Sequence, residues 1–405
     1  MSVTDSKIYS TIMLLSICFA LSASTSSLSV SASSLVGFQI SDNKALATLP
    51  LSLHLIGTML AGIPASLLMK RIGRRYGFMI GTVIGTAGAT SAALSVIYSN
   101  FPLFCVSIFC LGVLNGFSHL YRFAAVDVSS NEFKTKAVSF VMLGGIAAGF
   151  IGPAIASEGK DLVDNAQFAG GYLFIILLYL LIFMILLWIR LPQPSVAEQT
   201  GEARPLKVIF RQPKLIIAVL SAMVGYAVMA MIMTATPLAM TNGSGYPFSD
   251  AAFVIQWHAF GMFAPSFITG TLIKRFGSIP IIFSGILLMF LCIGINVAGT
   301  EKINYWLALM LLGVGWNFMF VAGTTMVTET YQPAEKAIVQ GVNDFLVFGT
   351  AAASSLLSGM LQTSFGWETV NLSSVPLLVI VLIALFWYYC IINHEKEGSL
   401  LTESV

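Results

Sequence analysis

Twelve apolar stretches fill most of this 405-residue sequence, and its charges fall between them. They lie near 8–36, 45–69, 76–98, 101–126, 137–157, 169–190, 214–240, 249–272, 279–299, 303–328, 337–363 and 368–392. A helix crossing a bilayer needs about 20 apolar residues, so each stretch is a candidate span. Only 9% of residues are charged and 57% are hydrophobic. Soluble domains carry about 25% and 45–50%, so a water-soluble fold is excluded. The expected class is an all-α membrane protein with twelve transmembrane helices. The net charge of +2, with no basic tract interleaved with aromatics, points away from nucleic acid.

The two halves of the chain repeat one another. Lys70-Arg71-Ile72-Gly73 recurs 204 residues later as Lys274-Arg275-Phe276-Gly277, and His54 falls on His258 at the same offset. Leu111-Gly112-Val113 with Asn115 and Phe117 returns as Leu312-Gly313-Val314 with Asn317 and Phe318. Lys136-Ala137-Val138 echoes Lys336-Ala337-Ile338. Between the copies, residues 191–213 hold Pro192, Pro194, Ser195, Glu198, Gly201, Glu202 and Pro205, a polar, turn-prone connection. The organisation expected is a six-helix bundle over 1–190, a cytoplasmic linker over 191–213 and a pseudo-symmetric six-helix bundle over 214–405. Duplicated membrane halves are the mark of a transporter that rocks about a central site.

Basic residues set the orientation. With the N-terminus inside, sixteen Lys and Arg fall in inner loops and tails, against Lys44, Lys160 and Lys302 outside. That bias places both termini in the cytoplasm, and the expected location is a bacterial inner (plasma) membrane, crossed many times. The first apolar run is too long for a signal-peptide core of about 7–15 residues. The five cysteines all lie within spans and form no Cys-x-x-Cys pair, so no disulfide framework is expected. No phosphate-binding Gly-x-x-x-x-Gly-Lys-Ser/Thr loop occurs, so ATP is not expected as a partner and transport would run on gradients. No spacing of Ser, His and acid suggests an enzyme. The expected partners are a small solute or metal ion and the lipid bilayer, the chain acting as a monomer without a cofactor.

The stretch Ala65-Ser66-Leu67-Leu68-Met69-Lys70-Arg71-Ile72-Gly73-Arg74-Arg75 resembles the signature Gly-x-x-x-Asp-Arg/Lys-x-Gly-x-Arg/Lys-Arg/Lys of the major facilitator superfamily. The resemblance covers nearly the whole chain and implies that superfamily's fold. Lys70, Arg71, Arg74 and Arg75 match its basic character and Gly73 its glycine, one place displaced, but Met69 stands where the family has an acid that latches the inner gate against span 11. The second copy, with Lys274 and Arg275, has Ile273 there. Asp344, seven residues into span 11, is the expected substitute, receiving Arg71 or Arg75 when the inner gate shuts. An intramembrane carboxylate is costly enough to need a partner or a job. A permanent ion pair, a helix–helix hydrogen bond and reversible protonation are the other readings of Asp344.

Spans 7 and 8 carry Met229-x-x-x-Met233 and His258-x-x-x-Met262. With Tyr121-Arg122-Phe123 and Asn343-Asp344-Phe345, they are similar to the CcoA-like branch of that superfamily, which imports copper and includes riboflavin importers. The resemblance implies Met229, Met233, His258 and Met262 as a metal-binding set. Residues four apart share a helix face. At 1.5 Å per residue, Met233 and His258 lie roughly 12–14 Å below the outer loop, and Met229 and Met262 roughly 18–20 Å below it. The four therefore bracket the midplane. Thioethers with an imidazole suit Cu(I) as the transported substrate. Core packing of the methionines and a helix–helix hydrogen bond from His258 are the bland alternatives.

His54, His119, Arg122, Trp257 and Trp316 are second-rank pathway residues. Arg122 either meets an anionic substrate or pairs with Asp127 or Glu329. Span 5 carries Gly144, Gly145, Gly149, Gly152 and Pro153, a small-residue stripe expected in a flexible rocking helix that partly resembles the antiporter motif of drug exporters. Three functions follow: Cu(I) import through the Met/His set, import of an aromatic solute such as riboflavin on Trp257, Trp316, Tyr226 and nearby Phe residues, or drug/proton antiport.

Overall fold

A computed structural model describes residues 3–43, 46, 49–130, 133–164 and 166–403. Lys44 lies outside these residues, as do the side chains of Lys7, Pro153, His394 and Lys396. All regular structure among the described residues is helical, because backbone polar groups in hydrocarbon must be satisfied within the segment that carries them.

In the first half α1 spans Val3–Ile40, α2 Leu49–Ile72 and α3 Arg74–Ile97. The fourth crossing is bent at Leu120 into α4 (Phe101–His119) and α5 (Tyr121–Val128). The fifth is bent at Gly144 into α6 (Lys134–Leu143) and α7 (Gly145–Glu158), and α8 (Ala169–Trp188) closes the bundle. The connection holds two short helices, α9 (Val196–Thr200) and α10 (Leu206–Ile209). The second half opens with α11 (Pro213–Leu238), extended by a π-turn over Ala239–Gly243. There follow α12 (Phe248–Phe263) and α13 (Ser266–Phe276), split at Ala264 and Pro265, then α14 (Ser278–Ala298) and α15 (Lys302–Val327). Last come α16 (Lys336–Ser373) and α17 (Val375–Glu403).

Among the described residues, eleven helical stretches are long and apolar enough to cross a bilayer. The last, Pro333–Ile391, is 59 residues long. At 1.5 Å per residue that is about 90 Å, enough for two crossings of a core about 30 Å thick. Gly366 divides it, with φ 83° and ψ 179°, so the chain turns back and the crossings number twelve. The apolar pattern shows the two runs, while the turn rests on the one residue type that takes this backbone without strain.

The duplication is visible in three dimensions. Gly73 and Gly277 both take left-handed backbone, φ 90° and 85°, and turn α2 into α3 and α13 into α14. In each half the second crossing packs on the fourth: α2 on α4, and α12 on α15. The contact is made at matching places. A Cβ on Gly313 would lie 2.6 Å from the His258 carbonyl oxygen, and one on Gly112 would collide with the His54 carbonyl. Asn115 donates to Thr58 at 3.2 Å and Asn317 to the Met262 carbonyl at 2.7 Å, pinning the same two pairs of helices.

Between the halves, α2 lies along α16, and α6 and α7 lie along α13 and α12. A Cβ on Gly62 would sit 3.2 Å from the Gly341 carbonyl, so small residues bring these helices close. The span-5 glycines act similarly: Gly145 accepts the Phe263 ring, and a Cβ on Gly149 would meet that of Ala259 at 3.3 Å.

Candidate functional site

The end of the bundle that carries the basic hairpins is shut by a network of bonds that joins the two halves and the connecting segment. Arg74 Nε meets Asp127 Oδ2 at 3.0 Å while its Nη2 donates to Gln340 Oε1 at 2.6 Å. Lys336 bridges Asp127 at 3.0 Å and Glu198 at 3.2 Å. Lys70 Nζ donates to the Ala334 carbonyl at 2.9 Å. Arg74 also lies 3.7 Å from Met69 Sδ, at the position where the family signature has its acid. Asp127, from α5, is the carboxylate that meets the hairpin here, through Arg74, and it also meets Lys336 of α16. A cleft of about 290 Å³ remains among Lys70, Arg74, Asp127, Glu198 and Lys336.

These contacts correct the expectation for Asp344. Arg75 donates to the Leu186 and Leu187 carbonyls at the end of α8, at 2.8 and 2.5 Å, and Arg71 is exposed. Gln340, one turn nearer this end than Asp344, marks the reach of the hairpin along α16. Asp344 pairs instead with Arg122, and both side chains are 1% exposed. The expected partners of Arg122 are engaged elsewhere, Asp127 by Arg74 and Lys336, and Glu329 by Lys214 at 2.6 Å. Lys274 and Arg275 are exposed, with Arg275 5.1 Å from the Phe276 ring centre.

The connecting segment is strapped to this gate. Arg204 reaches Glu335 through its backbone N at 3.0 Å, Nε at 2.7 Å and Nη2 at 2.6 Å, and donates to the Thr330 carbonyl at 3.1 Å. Its Pro and Gly content anticipated turns. It gave no sign of this docking, which depends on a carboxylate 131 residues away.

Deeper in the bundle, aromatic side chains close a ring across both halves. Phe19 of α1 meets His119 of α4 at 6.2 Å between ring centres, and His119 meets Phe348 of α16 at 4.2 Å. Phe348 meets Tyr226 of α11 at 5.3 Å, and Tyr226 meets Trp316 of α15 at 5.4 Å. Trp316 meets Phe263 of α12 at 5.7 Å, and Phe263 returns to Phe19 at 6.4 Å. Phe320 stacks on Trp316 at 5.0 Å with 12° between planes. Trp257 belongs to a separate cluster with Phe253, Phe260 and Trp306.

The Arg122–Asp344 pair adjoins this ring. Arg122 lies 4.9 Å from the Phe320 centre, and its Nη1 donates to the His119 carbonyl at 2.6 Å. Asp344 is one helical turn before Phe348. Four buried polar atoms of these residues have no protein partner: His119 Nδ1, Arg122 Nε, Trp316 Nε1 and Asp344 Oδ2. Buried polar groups are normally paired with protein, water or a ligand, so these four atoms are donors and acceptors open to a partner from outside the protein.

Of the Met/His set, His258 is fully buried and its Nδ1 donates to the Leu309 carbonyl at 2.8 Å. That leaves Nε2 without a protein partner. Met262 shares its helix face, and its carbonyl accepts from Asn317 at 2.7 Å. Met229 is buried and Met233 half-buried on α11, which packs on α15 and α16 and touches α12. His54 is the buried counterpart of His258, with Nε2 3.4 Å from Ser26 Oγ.

The sequence model of the Major Facilitator Superfamily matches residues 12–355 and 259–404. The chain belongs to the major facilitator superfamily. This superfamily member is a multi-pass membrane transporter. It is 40% identical over 378 residues to the riboflavin transporter RfnT of Brucella anthropi, covering 92% of this chain and 94% of that protein. The uncharacterized MFS-type transporter YddS of Bacillus subtilis is 26% identical, over 85% of this chain and 83% of that one. Among solved structures, FucP in its outward conformation superposes with a TM-score of 0.76 at 15% identity, over 94% of this chain and 99% of that one. A bacterial homologue of the iron transporter ferroportin, outward-facing, gives 0.73 at 12% identity, over the same shares.

Proposed function

We propose that this transporter imports a flat, conjugated organic solute of the flavin class, riboflavin foremost, across a bacterial inner membrane. The observation that carries this reading is the closed aromatic ring with four orphaned polar atoms beside it. Aromatic rings stack offset or edge-on at about 4.5–7 Å, so a planar solute can take the place of any neighbour in such a ring. The relative that transports riboflavin, 40% identical over nearly the full length, supports the same choice. With both termini in the cytoplasm, the shut basic end is the inner gate, and solute reaches the ring from outside. Asp344 and Arg122 bind and orient it, and the hairpin contacts must part to release it. Gradients supply the energy.

Copper import is the second reading. It is favoured by His258 Nε2, a buried imidazole nitrogen with no protein partner, on the helix face that also carries Met262. Uptake of labelled riboflavin and labelled copper into the same cells separates the two. Riboflavin accumulation that rescues a flavin auxotroph and is weakened in Trp316→Leu is the expected result. Copper accumulation alone, lost in His258→Leu/Met233→Leu, would replace the flavin reading with the metal one. Changed drug tolerance with neither uptake would point to antiport.

A further inference from the structure

The ion pair at the centre is made with one bond where its geometry allows two. An arginine presents Nε and Nη2 on the same edge, and a carboxylate placed side-on takes both. Here Nη2 of Arg122 donates to Oδ1 of Asp344, while Nε and Oδ2 are both buried and unpartnered. Neighbours hold both groups in this arrangement. The His119 carbonyl fixes Nη1 at 2.6 Å, and Asn343 Nδ2 donates to the same Oδ1 at 2.9 Å. Phe123 and Phe320 lie 4.6 and 4.9 Å from the guanidinium carbon, which limits approach over its faces. What remains is the in-plane edge, with one charged donor and one charged acceptor side by side.

We propose that Arg122 Nε and Asp344 Oδ2 together read an imide edge, a carbonyl–NH–carbonyl group, on the transported solute. The proposal rests on the flavin reading and deepens it. The imide N–H donates to Oδ2, and one flanking carbonyl accepts from Nε. The two bonds lie in one plane, as the solute's ring system does. The pyrimidine-dione end of a flavin has this edge, and the ribityl chain lies on another side of the rings. Both bonds are charge-assisted, which roughly doubles their strength over neutral ones. A solute without the N–H would leave Oδ2 buried and unsatisfied, which is how a site rejects a near-isostere.

Binding to the purified full-length transporter tests this. The probes are lumiflavin and 3-methyllumiflavin, which differ by one methyl on the imide nitrogen, read by quenching of flavin fluorescence. Lumiflavin is expected to bind at least about tenfold tighter. In Asp344→Asn the charged acceptor facing the imide N–H is gone, and the ratio is expected to fall to within about threefold, whereas a purely structural carboxylate would weaken both probes alike and leave the ratio unchanged. Equal binding of the two probes to the native protein overturns the imide proposal and leaves the flavin reading standing. Failure of both flavins to bind overturns the flavin reading and this proposal with it.

Discussion

Arg122 and Asp344 are buried at 1% exposure each, where charge is tolerated only in company. Asp344→Asn is therefore expected to cost about 3–5 kcal/mol, because the guanidinium stays buried without its carboxylate. Thermal unfolding of the purified protein measures this. The double change Arg122→Met/Asp344→Leu is expected to regain most of the stability while abolishing uptake, since apolar pairs replace buried ion pairs at little cost. Trp316 touches Tyr226, Phe263 and Phe320. Trp316→Leu stays apolar but is smaller and loses these ring contacts, worth about 0.5–1.5 kcal/mol each, and is expected to raise the KM for riboflavin about tenfold. An unchanged KM would remove Trp316 from the site. Arg122, Asp344, His119 and Trp316 were legible singly, as polar or large groups inside apolar runs. Phe19, Phe263, Phe320 and Phe348 were not, because a lone Phe in a membrane span carries no local pattern that separates a site from lipid contact.

At the scale of elements, the close crossing of α12 on α15 depends on Gly313, whose added Cβ would meet the His258 carbonyl at 2.6 Å. Gly313→Ala is expected to destabilise the protein by about 1–3 kcal/mol, as overpacking does, and Gly112→Ala to do the same in the other half. Parallel losses of melting temperature would show that the two copies are packed by one rule. A thermal shift from neither variant would contradict it. The strap from the connecting segment to Glu335 belongs to this scale too. Glu335 is fully buried, while the Arg204 side chain is 31% exposed, so solvent weakens the pair. Glu335→Gln is expected to loosen the strap by about 1 kcal/mol and to speed proteolysis within 191–213 about fivefold. Helix existence and the twofold repeat were written in apolar run length and spacing. The breaks at Gly144 and at Ala264-Pro265 fall on a glycine and a proline that the sequence shows, while the one at Leu120 has no such local mark.

For the whole molecule, alternating access requires α2 and α16 to part at the basic end. An ideal Cβ on Gly341 lies 3.4 Å from that of Ser66, near the 3.5–4.5 Å (roughly) that a disulfide needs. Oxidised Ser66→Cys/Gly341→Cys is expected to lose uptake, with recovery on reduction. Normal uptake by the cross-linked protein would show that this end does not open. The sequence by itself determined the all-helical membrane class, the twelve crossings and the internal duplication, since lipid imposes run length, charge placement and repeat locally. Only the tertiary structure decided which charge Asp344 meets and which rings surround it. Arg122 and Asp344 are 222 residues apart, and no local pattern records which faces of distant helices turn toward each other. That choice is made by packing, where close approach at Gly62 and Gly341 brings α16 onto α2, and α2 packs in turn on the crossing whose inner end carries Arg122.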